Sequence, residues 1–216
     1  MDRLAYGLAG GVGIAATALG SYGMSGGVGT LRVVWLVPLG GLELTLDPLS
    51  GFFLALIGFA PVAASIYAMG SSPSERRDRF AYLVFVLSMC LVPLAANTMT
   101  FVITWELMSL ASYFLVLHDR ESKASIYAGW VYAVMTHAGL ACLLAGMLLL
   151  GAWTGSPRFA DWHATAPALP GAARNVVFVL LGLGFAGKAG VIPLHVWLPL
   201  AHPAGAPHAP RGLLPR

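Results

Sequence analysis

Long apolar runs separated by short polar clusters dominate the chain. A helix rising 1.5 Å per residue needs about 20 apolar residues to cross a hydrocarbon core about 30 Å thick. By that rule residues 4–22 form a first, glycine-rich span and residues 48–70 an uncharged second. The stretch from Phe80 to His118 carries a single charge, Glu106, and is too long for one crossing. It divides into helices over 80–97 and 99–118, with a tight turn near Ala96 to Met99. Residues 124–153 and 175–200 supply a fifth and a sixth span. Between the first two, residues 26–47 carry Arg32, Glu43 and Asp47 and alternate like a strand pair, which reads as an external loop or hairpin. The pattern predicts an all-α polytopic membrane helical bundle over residues 1–204 and a Pro- and Arg-rich tail over 205–216.

Composition agrees with that pattern. Apolar side chains make up 58% of the residues and charged ones 10%, against about 25% charged in an ordinary soluble domain. A formal charge of +3, with no basic run, excludes a nucleic-acid-binding footprint. Cys90 and Cys142 lie far apart inside apolar stretches and read as buried thiols. The first stretch, "LAYGLAGGVGIAATALGSYGM", fits either a glycine-rich membrane helix or a signal peptide. Its "LAGGVGIAA" has nucleotide-loop glycine spacing but no strand before it. No metal-cluster motif is present, so no cofactor is expected.

Lysine and arginine divide unevenly between the two sides. The N-terminus, the loops after the second and fourth spans, and the tail hold Arg3, Arg76, Arg77, Arg79, Arg120, Lys123, Arg211 and Arg216. The opposite side holds Arg32, Arg158 and Arg174. The positive-inside tendency then puts the N-terminus of this multi-pass protein in the cytoplasm.

Three ionisable groups interrupt the spans near their centres: Glu106, His137 and Lys188. A charge at the bilayer centre costs about 2.5–3.5 kcal/mol on insertion scales, so each needs a partner or a wet cavity. A Glu and a Lys at one depth can exchange charge states when their separation changes, as proton translocation requires. The competing reading is a static buried ion pair that fixes helix packing. For His137, in "YAVMTHAGL", the alternatives are a proton relay and an imidazole satisfied by another helix's carbonyl. Around Lys188, Gly187 and Gly190 loosen the helix, and Pro193 and Pro199 remove amide donors beyond it. The pattern predicts a broken helix beside the lysine, tolerable in lipid only where protein or water takes the freed carbonyls.

"WELMSLASYFLV" (105–116), "YAVMTHAG" and "GKAGVIPLHVWLPLAHPA" together resemble the antiporter-like family of membrane subunits. That family occurs in respiratory complex I, Mrp-type cation/proton antiporters and energy-converting hydrogenases. The wording most resembles the large membrane subunit of hydrogenase-4 and formate hydrogenlyase. The resemblance implies a glutamate on one helix paired with a lysine on a broken helix, roles that fall on Glu106 and Lys188. It also places His195 at the "PLHxWLP" position, on a polar axis with His137. Two departures stand out: one N-terminal helix fewer, and "GAPHAPRGLLPR" where family members continue with Pro-Ser-His and further helices. They imply a truncated or frameshifted product covering roughly the first half of the membrane core.

The resemblance implies a proton-translocating, non-redox subunit, with no catalytic centre of its own. Its partners would be the lipid bilayer, other membrane subunits and, through them, hydrogenase or dehydrogenase subunits. A complex I or Mrp-type antiporter subunit, and an inactive remnant, stand as alternatives. From another class stands a haem-binding electron carrier using His118, His137, His195 and His202, which would need two histidines facing each other at matched depth.

Overall fold

The structure is a computed structural model that describes residues 2–33, 41–70, 76–117 and 122–204. It is an all-α polytopic membrane bundle with one small hairpin. The helices are α1 Asp2–Met24, α2 Pro48–Met69, α3 Arg76–Leu91, α4 Thr98–Val116, α5 Lys123–Thr154, α6 Phe159–Thr165, α7 Gly171–Ala189 and α8 Leu198–Ala204. Strands β1 Gly29–Val33 and β2 Leu42–Leu46 pair antiparallel between α1 and α2, as the alternation predicts. His118 and the tail 205–216 lie outside the described residues.

Among the described residues, five helices are long and apolar enough to cross a membrane: α1, α2, α4, α5 and α7. The third, α3, has 16 residues and opens on Arg-Arg-Asp-Arg. It starts before the expected 80 and stops at Leu91, short of 97, because Pro93 has no amide to extend it; a 3-10 turn, Val92–Leu94, follows. Asn97 then caps α4, its side-chain carbonyl accepting from Thr100 N at 2.8 Å. Asp47 and Ser50 cap α2 reciprocally at 2.7 and 2.8 Å. The sixth apolar segment does not continue as helix to residue 200. It ends at Ala189 and resumes as α8.

Two kinds of contact order the bundle. α1, weakly apolar, packs on α2 through small residues: a Cβ on Gly13 would lie 2.6 Å from the Gly58 carbonyl. Such close backbone approach is how helices associate where lipid is as apolar as the side chains. Elsewhere large side chains interlock, with Phe101 and Trp105 of α4, Leu143, Met147 and Leu150 of α5, Trp162 of α6 and Val177 of α7 forming one core cluster. Cys90 and Cys142 are both free thiols.

The hairpin is fastened to the bundle end. Arg32 and Glu43 face each other across the ladder and pair at 2.9 Å, and Arg158, from the α5–α6 connection, meets Glu43 at 2.9 Å. Thr100 Oγ1 accepts from Glu43 N at 2.8 Å, and Glu43 O accepts from Ala96 N at 2.9 Å. Burial opposes the charge on Glu43, but hydrogen bonds from Arg32 and Arg158 outweigh it and hold the carboxyl below its ordinary range. One end of the bundle thus gathers the hairpin, the α3–α4 turn and the α5–α6 connection. The opposite end joins Arg77 to the Leu117 carbonyl at 3.3 Å.

Candidate functional site

The site is built where α4, α5 and the end of α7 meet. α5 and α7 approach face to face at Gly139 and Gly184, where a Cβ on Gly184 would lie 2.7 Å from the Gly139 carbonyl and 2.4 Å from Leu143 Cγ. One turn beyond Gly184, this contact delivers Lys188 to the middle of the bundle. Its ammonium donates to Tyr132 OH at 2.9 Å and to Ser109 Oγ at 3.0 Å. The Tyr132 and Trp105 ring centroids lie 5.2 and 5.9 Å from Nζ, within cation–π range.

Glu106 has a different partner. Its Oε1 lies 3.2 Å from His137 Nε2, while His137 Nδ1 lies 2.8 Å from the Ala133 carbonyl of its own helix. Among the described residues no ion pair within 4.0 Å joins Lys188 to a carboxylate. The expected Glu106–Lys188 pair is therefore not in direct contact. His137 stands between the two readings of its role: a carbonyl does satisfy one nitrogen, from α5 itself, and the other nitrogen meets the carboxylate.

A carbonyl oxygen can only accept, so the Ala133 contact orients the ring with Nδ1–H on that carbonyl and turns Nε2 toward the Glu106 carboxyl. The pair is partly uncovered, with side-chain exposures of 27% for Glu106 and 58% for His137. At bilayer depth such a face needs water or further protein over it.

The break follows from the backbone bonds after Lys188. Gly190, at φ 70°, takes the left-handed conformation that glycine adopts without strain. Val191 N then donates back to Ala186 O, which leaves the Gly187 carbonyl for the Trp197 indole at 2.9 Å. Pro193 has no amide with which to resume the ladder. Pro199 does not break anything: it sits in the first turn of α8, where the missing amide costs no hydrogen bond. His195, in the connecting segment, makes no hydrogen bond or ion pair with the other three, and its buried Nδ1 has no partner among the described residues. Of the four histidines a haem could use, His137 has both nitrogens engaged, on the Ala133 carbonyl and the Glu106 carboxylate, while His118 and the side chain of His202 lie outside the described residues.

Sequence reasoning missed Ser109 and Tyr132. The available signal was spacing, since Ser109 lies one turn from Glu106 on the same face.

The family model for the NADH:quinone oxidoreductase/Mrp antiporter transmembrane region matches residues 95–213. The chain belongs to that family. Hydrogenase-4 component B of Escherichia coli is 38% identical over 173 residues, covering 78% of this chain and 25% of its own length. An uncharacterised protein of Mycobacterium tuberculosis is 42% identical over 196 residues, covering 89% of this chain and 30% of its own. The Mrp complex from Dietzia sp. matches in fold, with TM-score 0.78 and 24% identity over 93% of this chain and 38% of that one. The chain therefore spans under a third of the length of the two curated relatives and 38% of the matched Mrp chain. As a family member it is an integral membrane protein, and its relatives include subunits of multi-subunit membrane complexes.

Proposed function

We propose that the chain forms part of a proton-translocating, non-redox membrane subunit of a hydrogenase-4-type complex, with Glu106, His137 and Lys188 as its proton-handling groups and His195 beside the helix break. One observation carries the reading: Glu106 of α4 meets His137 of α5 one helical turn from Ser109, the α4 residue that receives Lys188 of α7, next to an interrupted helix. The identity to hydrogenase-4 component B favours that complex and hydrogenase-type partners. The excess of Lys and Arg on the N-terminal side favours an inner-membrane orientation with the N-terminus in the cytoplasm.

The chemistry asks little of the protein beyond placement. Glu106 and His137 pass one proton between them without creating net charge, and Lys188 supplies a second site that gains or loses a proton when it moves. Gly187, Gly190 and Pro193 keep the backbone open beside it. The test is pH-dependent dye quenching in inside-out vesicles carrying the assembled complex. Lys188→Ala abolishes coupled quenching while leaving assembly intact on native gels. Quenching at the unsubstituted rate overturns the proposal, and a requirement for sodium moves the chain to the antiporter branch.

A further inference from the structure

The two residues that hold Lys188 are neutral and well buried: Tyr132 and Ser109 are each 3% exposed. Tyr132 is itself fixed. It packs in a cluster with Val116, Ala128 and Ala201, and the Trp197 ring lies 5.3 Å from its own at an interplanar angle of 72°. Trp197 is in turn anchored on the Gly187 carbonyl, one residue before the lysine. The hydroxyl therefore presents itself to Nζ from a rigid wall. The charged group that acts on the lysine from α4 is Glu106, which itself meets His137 of α5.

We propose that Tyr132, with Ser109, is a positioning pair that parks Lys188 as a charge station held off Glu106. The inference deepens the proton-translocation reading and rests on it. A lysine locked onto a carboxylate in a low-dielectric interior must break a strong pair at every turnover. Held by hydroxyl oxygens and an aromatic face, it remains charged yet releasable. Ser109 and Glu106 occupy adjacent turns of one face of α4. Transfer of the ammonium from one to the other is then a torsional change in its flexible four-carbon stem, without movement of a helix.

The chain has two lysines, Lys123 and Lys188, so Lys123→Gln leaves Lys188 alone. With ¹⁵Nζ-lysine and ¹³Cδ-glutamate in the lipid-embedded chain, solid-state NMR reads the Lys–Glu dipolar coupling directly. Unsubstituted at 109 and 132, the chain shows no coupling at ion-pair range; Tyr132→Phe combined with Ser109→Ala brings it up. Coupling already present without those substitutions, or absent with them, overturns the proposal. In vesicles carrying the complex, Tyr132→Phe, which keeps the ring and removes only the hydroxyl, lowers proton movement by about tenfold or more, in the range a misplacement near 1 Å produces. An unchanged rate overturns the positioning role. Failure of the underlying function is read separately, as normal pumping by Lys188→Ala.

Discussion

A methyl group added at Gly184 tests whether the α5–α7 contact sets the site. Its Cβ would lie 2.7 Å from the Gly139 carbonyl and 2.4 Å from Leu143 Cγ. Leu143 is fully buried, so its side chain has little room to turn away. Reaching ordinary contact with the carbonyl, a backbone atom, demands that α7 retreat by about 0.7 Å. Lys188 is one turn further along the same helix. With the stem unmoved, a retreat of that size lengthens its 2.9 and 3.0 Å hydrogen bonds by up to about 0.7 Å, and keeping them demands a compensating change in the four-carbon stem. Overpacking of this kind costs about 1–3 kcal/mol in stability, and a misplacement near 1 Å costs on the order of 10²-fold in rate. Gly139→Ala meets the Gly184 carbonyl at 3.3 Å and is expected to act mildly; Gly182→Ala, with nothing within 4 Å, is expected to act not at all. Vesicle quenching and thermal unfolding of the three variants give the series. If Gly184→Ala and Gly182→Ala behave alike in both assays, the packing argument fails.

Other predictions concern the two carboxylates. Glu43 has its folded pKa below its unfolded value, so its contribution to stability is full above the ordinary carboxylate pKa of 4.5 and is lost as pH falls through the lower folded value. Hydrogen exchange at Leu42–Leu46 should accelerate in that acid window, and Glu43→Gln should remove the dependence; equal acid sensitivity in both proteins counts against the clamp. For the Glu106–His137 pair, imidazole ¹⁵N spectra should show a His137 ring protonated at Nδ1 whatever the state of Nε2, assigned by comparison with His137→Asn. A neutral ring carrying its proton on Nε2 would contradict the Ala133 hydrogen bond.

The spans were legible because lipid leaves the backbone few choices: a run of about 20 apolar residues with almost no charge must be helical to satisfy its own amides. Glu106, His137 and Lys188 stood out for the same reason, as charges are rare where they are costly. What could not be read was which helix faces which. Tyr132 and Ser109 are ordinary residues in such helices until α7 brings an ammonium to them. The partner of Glu106 depended on whether α5 or α7 presented its ionisable group at that turn, and both carry one. Glu43 and Arg158 are separated by 115 positions, and no local pattern links them. Pro199 was misread because proline both ends helices and begins them, and the distinction depends on where the preceding segment stops.

The break after Ala189 is also more closely tied to the lysine than glycine and proline content alone implied. A continuous helix would hand the Gly187 carbonyl to the amide of Val191. Here Val191 turns back to Ala186, and the Trp197 indole takes the vacated acceptor. The same indole ring then packs edge-on against Tyr132, whose hydroxyl holds Lys188. The interruption of the backbone and the placement of the ammonium therefore share one side chain. A helix that resumed its regular ladder through residues 191–197 would withdraw Trp197 from both tasks at once. The break is thereby tied, through Trp197, to the residues that position the charge.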